Sequence, residues 1–310
     1  MNREILASGL SALKGNGNIE HIKNGLPVAC HTYEEVEAIA KGILEKVKCR
    51  PQFGIICGSG LGGLGDLVSN TEIIPYAEIP GFPVSTVPGH AGKLIFGDLE
   101  GKKVVLMQGR AHLYEGYAVQ RITLPVRVMK LMGVSVLIVT NAAGGINPDY
   151  NVGDIMIIKD HFNVPGFAAV NPLVGPNDER FGPRFPSVSD AYNKEFRHLA
   201  KQKAKELGFD SFVREGVYCC LGGPSFETVT ECRFLRLVGV DSTGMSTVPE
   251  VLVAKHCGMR VLGLSLITNK CIMEHDSKSY ANHEEVLETA RMRSKDLQQL
   301  AAAIVQAMKI

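Results

Sequence analysis

The sequence lacks an excess of either charge. Its 310 residues carry 33 Lys and Arg against 32 Asp and Glu, a formal net charge of +1, and no stretch forms a dense basic run. A polyanion such as nucleic acid is attracted by a broad positive field, which this balance does not supply. The composition therefore predicts a small-molecule ligand and no nucleic-acid partner.

Long apolar runs are also missing. Nowhere do 18 consecutive apolar residues occur, and the opening segment MNREILASGLSALKGNGNIEH lacks the apolar centre of a secretory signal. We therefore expect no membrane partner and a cytoplasmic location.

The sequence has neither a CxxC motif nor a metal-binding histidine motif. Its eight cysteines include the adjacent pair Cys219 and Cys220, and the others are scattered through apolar segments such as FGIIC and AKHCG. We expect buried free thiols. No HExxH motif is present either, so the sequence predicts no metal site.

What the sequence does contain is enough apolar material for a large core, 45% hydrophobic residues in all. Residues 1–31 carry few large apolar side chains after Leu13 and indicate a loosely ordered leader. At Thr32 the segment TYEE forms a capping box with Glu35 ahead of an apolar helical pattern. No flexible linker and no repeat divides the remainder, so we predict a single domain over residues 32–310.

Apolar runs and helical patterns alternate in this domain, which predicts an α/β fold. Seven runs predict strands, and most of them are apolar throughout, as strands covered on both faces are: residues 53–57, 94–99, 103–108, 134–140, 154–159, 217–221 and 260–268. Helical patterns cover residues 118–132, 190–207, 228–238, 247–257 and 282–308, and the last three open with the cap signatures TVTE, TVPE and NHEE. The segment LEGKK, residues 99–103, predicts a hairpin turn.

Small and polar residues follow five of the predicted strands. They are GSGLGG (58–63), GRAHLY (109–114), NAAGG (141–145), GGPSFE (222–227) and NK (269–270). Ligands of open α/β sheets bind beyond the carboxyl ends of the strands, so these segments predict a binding site. Any one of them taken alone is better explained as a turn, but their recurrence at five strand ends favours a site.

The segment QGRAHLYEG places Arg110, His112 and Tyr114 at alternate positions. If the strand continued through them, a cation, an imidazole and a phenol would share one face over about 13 Å. That length matches a phosphate beside a sugar. The alternative is the solvated edge of a strand, where polar alternation is common.

The glycine-rich segment GSGLGG formally matches the GxGxxG fingerprint of dinucleotide-binding folds. No clear second strand ends in an acidic residue about 20 positions later, so the match is weak. The hydroxyl and backbone N–H groups of the segment suit a single phosphate equally well. No lysine follows in the P-loop position, and Gly244, Met245 and Ser246 do not continue as a nucleophile elbow.

Taken in order, eight segments resemble the trimeric purine nucleoside phosphorylases. They are CGSGLGG, STVPGHAGKLIFG, QGRAHLYEGY, TNAAGGINP, GPNDERFG, GGPSFET, DSTGMSTVPE and SLITNK, and the resemblance runs from about residue 32 to the end. It implies one α/β domain with a mixed central sheet, partly closed as a barrel and surrounded by helices. It further implies a homotrimer that cleaves inosine and guanosine reversibly with inorganic phosphate as co-substrate, giving purine base and ribose 1-phosphate without a cofactor.

The resemblance also assigns the groups that contact phosphate and ribose. Phosphate would contact Ser59, Arg110, His112, Ser246 and the backbone N–H of Ala142, and the ribose would contact Tyr114, Met245 and His283. A guanidinium fork, two hydroxyls, an imidazole and a main-chain N–H suit a dianion. Without the resemblance, His283 is explained as a solvated helix start.

For the purine, the resemblance implies Glu227 and Asn269, with Phe226 against the ring and Thr243 beside it. A carboxylate only accepts hydrogen bonds, so Glu227 matches the N1–H of hypoxanthine or guanine, and adenosine should be rejected. Asn269 would donate toward N7 as negative charge collects on the purine in an oxocarbenium-like transition state. Asn269, Glu227 and His112 are the predicted catalytic residues.

Phe185, in the loop ERFGPRFP, matches the aromatic residue with which a neighbouring subunit closes the site.

Two features depart from the family pattern: the leader is longer, and Thr243 stands where an aliphatic residue is expected. The Thr243 hydroxyl bears on whether inosine or guanosine is the better substrate. Two other hypotheses stay open from the sequence. One is a nicotinamide-dependent dehydrogenase, based on GSGLGG, and the other is a binding-only paralogue, based on Thr243.

Overall fold

A computed structural model describes residues 22–23, 26–27, 31–58, 62–86, 91–278 and 283–309 of the chain. Of the predicted leader, the described part consists of residue 31 and two short strands, β1 (Ile22–Lys23) and β2 (Leu26–Pro27), which pair antiparallel. Whether residues 1–31 form a separate leader stays a prediction.

All the predicted helices occur in the predicted order, and one short helix at Val164–Phe167 was not predicted. The helices are α1 (Tyr33–Lys46), α2 (Val119–Leu131), α3 (Val164–Phe167), α4 (Lys194–Glu206), α5 (Val229–Leu237), α6 (Val248–His256) and α7 (His283–Ala307). Short 3-10 helices cover Gly62–Leu67, Tyr76–Glu78 and Leu113–Glu115. Within the described ranges, none of these helices is long and apolar enough to cross a membrane.

Two of the predicted helix caps are confirmed, one is absent although its helix begins where predicted, and the start of a further helix is displaced. The side chains of Thr32 and Thr228 accept hydrogen bonds from the third residue of α1 and α5, so both capping boxes are confirmed. Helix α4 begins later than predicted, because Asn193 caps it by accepting from the Phe196 N–H. At α6 the side chain of Thr247 makes no cap hydrogen bond. The cap predicted at residue 282 lies outside the described residues.

Over the residues that the structure describes, the main sheet contains nine strands. They are β3 (Phe53–Cys57), β4 (Ser69–Pro75), β5 (Lys93–Leu99), β6 (Lys102–Gln108), β7 (Val136–Gly145), β8 (Ile155–Asn163), β9 (Val213–Cys220), β10 (Ser242–Gly244) and β11 (Arg260–Lys270). All seven predicted strands and the hairpin between β5 and β6 are confirmed. Strands β4 and β10 were missed because SNTEIIP and STG form no apolar run. The segment NAAGG, predicted as a loop, is the end of β7.

The sheet is mixed and closes on itself at one end. Its order is β10-β9-β8-β11-β7-β3-β6-β5-β4, and β10 also pairs with β7. The parallel pairs are β3–β6, β3–β7, β7–β11, β8–β9 and β9–β10. The antiparallel pairs are β8–β11, β5–β6, β4–β5 and β7–β10. The β10–β7 pairing makes a closed ring of β7, β11, β8, β9 and β10, so the predicted partial barrel is confirmed.

Helices cover both faces of the open part of the sheet, and alternate strand residues enter two cores. In β3, Ile56 packs in a cluster with α1, α2 and α6, whereas Phe53, Ile55 and Cys57 pack in a second cluster with α4 and α7. This alternation is the period-two geometry of a strand. Because both faces are apolar, ligand chemistry is confined to the strand ends and loops.

Candidate active site

One cavity of about 410 Å³ lies beyond the ends of β6, β7, β10 and β11. It is lined by Thr86, Arg110, His112, Tyr114, Asn141, Ala142, Ala143, Gly144, Pro224, Phe226, Glu227, Thr243, Gly244, Met245, Ser246, Thr268, Asn269 and Val286. Ten of these were predicted as site residues from the sequence. A cavity of this size suits a small ligand.

The lining residues at the end of β11 owe their position to a β-bulge. The pairing between β11 and β7 shifts at residues 267–269, so that Ile267 pairs with Ala143 and Asn269 with Gly144. A bulge inserts an extra residue and redirects the side chains beside it. Thr268 is the extra residue at this bulge, and it lines the cavity together with Asn269.

Arg110 supplies the buried cation of the site, with 2% of its surface exposed. Its Nε donates to Glu250 Oε1 at 2.8 Å, and its Nη1 donates to the Thr140 carbonyl at 2.6 Å and to Ser246 Oγ at 3.3 Å. A buried charge needs such pairing, and a guanidinium held in this way keeps a fixed orientation. Glu250 was interpreted as part of the α6 capping box, and that interpretation is wrong.

Ser246 is held in place by a strained neighbour. Thr247 has a positive φ of 78°, which is unfavourable for a β-branched residue. Its hydroxyl lies 3.1 Å from Ser246 Oγ and 2.9 Å from the Asn141 amide nitrogen, which donates to it. These bonds fix the Ser246 hydroxyl beside Arg110.

His112 is oriented by a buried carboxylate. The backbone N–H and ring Nδ1 of His112 lie 2.8 and 3.0 Å from Glu115 Oε1, and the other oxygen, Oε2, accepts from the Thr86 N–H at 2.6 Å and hydroxyl at 2.8 Å. Burial alone would raise the pKa of Glu115, but the hydrogen bonds from Thr86 and His112 outweigh it and lower the pKa. An ionised carboxylate only accepts, so Nδ1 of His112 carries a proton.

The predicted strand through Arg110, His112 and Tyr114 is wrong. Strand β6 ends at Gln108, and a 3-10 helix begins at Leu113. The rings of His112 and Tyr114 stack instead, with centroids 4.7 Å apart and planes inclined by 13°. Burial, followed by the nearby charge of Glu115, raises the pKa of Tyr114 to about 12, so its hydroxyl stays protonated at neutral pH.

A second polar group of the cavity comprises Glu227, Thr243 and Asn269. The Thr243 hydroxyl donates to Glu227 Oε1 at 3.3 Å. Burial raises the pKa of Glu227, and hydrogen bonding, including that from Thr243, opposes part of the rise. Asn269 is 4% exposed, and its Oδ1 lies 3.2 Å from the Thr268 hydroxyl, which leaves the amide N–H groups for other partners.

Close packing joins the loop before α5 to the middle of the site. Gly223 has a φ of +66°, and a Cβ on it would lie 2.5 Å from Met245 Sδ and 3.0 Å from Tyr114 Cδ1. Only glycine fits this conformation and this contact. The loop that carries Phe226 and Glu227 is thereby held against Met245.

The structure brings together most of the predicted residues. Those lining the cavity are Arg110, His112, Tyr114, Ala142, Phe226, Glu227, Thr243, Met245, Ser246 and Asn269. Ser59 and the side chain of His283 lie outside the described residues, although α7 does begin at His283. Phe185 does not line the cavity of its own chain and is 88% exposed.

The sequence reasoning missed the two acidic residues that orient the predicted ones, Glu250 and Glu115. Glu115 had a local signal, because it stands three positions after His112 in a segment already singled out. Glu250 had none, because it is distant in sequence from Arg110. The segment GSGLGG leads into a six-residue 3-10 helix, Gly62–Leu67, and not into the long α-helix of a dinucleotide site.

Known proteins similar to this chain agree on one family. Residues 52–306 match the family model described as the phosphorylase superfamily. A purine nucleoside phosphorylase of Bos taurus is 54% identical over 280 residues, which cover 90% of this chain and 97% of that protein. Two crystal structures of Schistosoma mansoni purine nucleoside phosphorylase, in complex with inosine and with adenosine, each show a TM-score of 0.86 and 48% identity. Both cover 89% of this chain, and 97% and 98% of their own chains, respectively.

Proposed function

Because the chain belongs to the phosphorylase superfamily and, within it, to the purine nucleoside phosphorylases, we propose that it catalyses the reversible phosphorolysis of inosine- and guanosine-type nucleosides. The C1′–N9 bond of the nucleoside breaks, and a bond forms between C1′ and a phosphate oxygen. The electron pair of the broken bond leaves with the purine. Inorganic phosphate is the co-substrate, and no cofactor takes part.

The observation that carries the proposal is that two polar groups of the same cavity are joined by one short segment. Thr243 contacts Glu227, and Ser246 contacts Arg110. Residues 243 to 246 span at most about 10 Å even when fully extended. That distance fits a ribose between a purine and a phosphate, with Met245 beside the sugar.

Phosphate binds at the Arg110 end. The donors proposed there are the Arg110 guanidinium, the Ser246 hydroxyl, His112 and the backbone N–H of Ala142, with Ser59 expected from the sequence. The support is that Arg110 and Ser246 already lie 3.3 Å apart and that Ala142 lines the same cavity. Charge-assisted hydrogen bonds from a fixed fork are the strongest that a protein offers to a phosphate.

The ribose binds between the two ends. Tyr114 and Met245 flank it, and Tyr114, protonated at neutral pH, donates to a ribose hydroxyl. His283, at the start of α7, is proposed to hold the 5′-hydroxyl. The Gly223 contact keeps Tyr114 and Met245 together, so this part of the site is formed before the sugar arrives.

The purine binds at the Glu227 end. Glu227 accepts from N1–H, Asn269 donates to N7, and Phe226 and Thr243 lie along the ring. As the C1′–N9 bond breaks, negative charge grows on the purine and positive charge on the ribosyl centre. Asn269 then stabilises the transition state more than the bound nucleoside, and the phosphate stabilises the ribosyl cation.

We extend the proposal to a homotrimer in which Phe185 closes the site of a neighbouring subunit. In support, Phe185 is a large apolar side chain with 88% of its surface exposed, and the Arg184 guanidinium lies 5.5 Å from its ring centroid. Burial of such a ring against another copy removes it from water. The cytoplasmic location stays a prediction of the sequence.

The test is the phosphate dependence of inosine cleavage. Purified protein is incubated with inosine with and without inorganic phosphate, and hypoxanthine and ribose 1-phosphate are quantified. We expect both products in equal amounts, and only with phosphate. Equal hypoxanthine release in both reactions would identify a hydrolase, and no release in either would support the binding-only paralogue.

A further inference from the structure

Two thiols lie beside the carboxylate of Glu227. Cys232 belongs to α5 and Cys271 directly follows β11; they are 1% and 8% exposed. One sulfur from each and one carboxylate oxygen of Glu227 all lie within 4.8 Å of one another.

The fold, and not a sequence motif, creates this cluster. Glu227 precedes the cap of α5, so Cys232 follows it within the first turns of that helix. The end of β11 brings Cys271 against Gly144, where a Cβ would lie 2.8 Å from the Cys271 sulfur. Because Gly144 lines the cavity, the cluster adjoins the space proposed for the purine.

Thiolate sulfur and carboxylate oxygen are both ligand types that Zn²⁺ accepts. In a tetrahedral site with bonds of about 2.3 Å to sulfur and 2.0 Å to oxygen, the ligand atoms are about 3.5 to 3.8 Å apart. Since the ligand atoms now lie within 4.8 Å of one another, each separation has to shorten by about 1.3 Å at most. Three protein ligands leave a fourth position open, and thiolates favour soft cations over Mg²⁺ or Ca²⁺.

Proton balance is simple for such a site. Each thiol loses its proton to solvent as a metal–sulfur bond forms, and no oxidant is needed.

We propose that Glu227, Cys232 and Cys271 form a site for a thiophilic divalent cation such as Zn²⁺ or Cd²⁺, and that this cation and a 6-oxopurine exclude each other. A carboxylate oxygen that coordinates the cation is withdrawn from the purine N1–H. The cation site stands on the cluster alone, whereas the exclusion rests on the proposed function.

The experiment is a titration of the whole protein with CdCl₂, followed by the ultraviolet charge-transfer band of cadmium–thiolate bonds. We expect one cation per chain. Cys271→Ser and Cys232→Ser should each lose the band, because an alcohol is a poor ligand for Cd²⁺. The matched control is Cys257→Ser, at the end of α6, which is also buried and lies outside the cluster. It should retain the band.

The second arm adds hypoxanthine. At ten times its own Kd, a competing base should raise the apparent Kd for Cd²⁺ about tenfold, in the wild type and in Cys257→Ser alike. A band that is absent from the wild type, or that persists in Cys271→Ser and Cys232→Ser, overturns the cation site.

The two proposals fail in different ways. Suppose that calorimetry shows hypoxanthine to bind and that hypoxanthine does not weaken a normal cadmium band. This result overturns the mutual exclusion of cation and purine but not the cation site. A normal band in a protein that cleaves no inosine refutes the proposed function and supports the cation site.

Discussion

Removal of the Asn269 side-chain amide should slow turnover far more than it weakens nucleoside binding. Asn269 is 4% exposed, and its Oδ1 lies 3.2 Å from the hydroxyl of Thr268. This contact directs the amide N–H groups away from Thr268, and Gly144 leaves room for Nδ2, which would lie 3.4 Å from a Cβ at that position. Asn269→Ala removes the donor without adding bulk.

The size of the effect follows from the charge of the acceptor. Before reaction, N7 is neutral, and a neutral hydrogen bond contributes about 0.5 to 1.5 kcal/mol, a factor of roughly 2 to 10 in affinity. In the transition state the purine carries developing negative charge beside the buried Asn269 side chain, and loss of a positioned donor costs about 2.7 to 4 kcal/mol. We therefore expect kcat to fall about 10² to 10³-fold, while KM for inosine changes less than tenfold.

The assay is steady-state cleavage of inosine at saturating phosphate, with a single-turnover measurement to isolate the chemical step. The matched control is Thr268→Val, which keeps the amide but removes the hydroxyl that orients it. Its loss in kcat should stay below about tenfold, the value of one neutral hydrogen bond. If Asn269→Ala instead raises KM while kcat is preserved, Asn269 binds substrate and transition state equally, and the reasoning is refuted.

Three other outcomes are expected. Burial raises the pKa of Glu227, so its carboxyl group gains a proton as the pH falls, and this proton can be donated to N1 of adenine. The ratio of kcat/KM for adenosine to kcat/KM for inosine should therefore rise as the pH falls. In Glu227→Gln the same ratio should not change with pH. A constant wild-type ratio would contradict this. Glu115→Gln replaces one of the two carboxylate oxygens that accept hydrogen bonds from His112 and Thr86 with an NH₂ group. The KM for phosphate should rise by the equivalent of about 1 to 3 kcal/mol, whereas the KM for inosine should change little. An unaltered KM for phosphate would contradict the role of Glu115 in orienting His112. Phe185→Ala should lower kcat/KM for inosine, whereas the free energy of unfolding of the separated subunit should stay within about 0.5 kcal/mol of the wild-type value. Full activity of this variant would disprove closure of the site by a neighbouring subunit.

Apolar runs made most of the fold predictable. Strands such as β3 and β11 are buried on both faces, so each is an almost uninterrupted run of apolar residues that is easily recognised in the sequence. Local side-chain geometry was harder. Arg110, His112 and Tyr114 were predicted to share a strand face, yet they reach the cavity from a loop and a 3-10 helix. They were still correctly grouped, because whatever follows the end of a parallel strand lies near the ligand.

Contacts between distant segments were not predictable from local patterns. Glu250 looked like the acid of a capping box, but the positive φ of Thr247 prevents that cap, and Glu250 pairs with Arg110 instead. The Cys232–Cys271 contact likewise depends on a helix and a strand meeting in space. Neither pair has a spacing that distinguishes it from chance.

Strand β10, which was not predicted from the sequence, contributes most directly to the site. Strand β10 is three residues long, and its register pairs Thr243 with both Cys219 of β9 and Gly144 of β7. This double pairing closes the barrel and fixes the chain that continues from Thr243 to Ser246. Because backbone bonds on two sides hold Thr243, the Glu227 and Arg110 ends keep a set separation before any ligand binds. Such preorganisation is what a reaction between two bound substrates needs, since it lowers the entropy lost in aligning phosphate with the sugar.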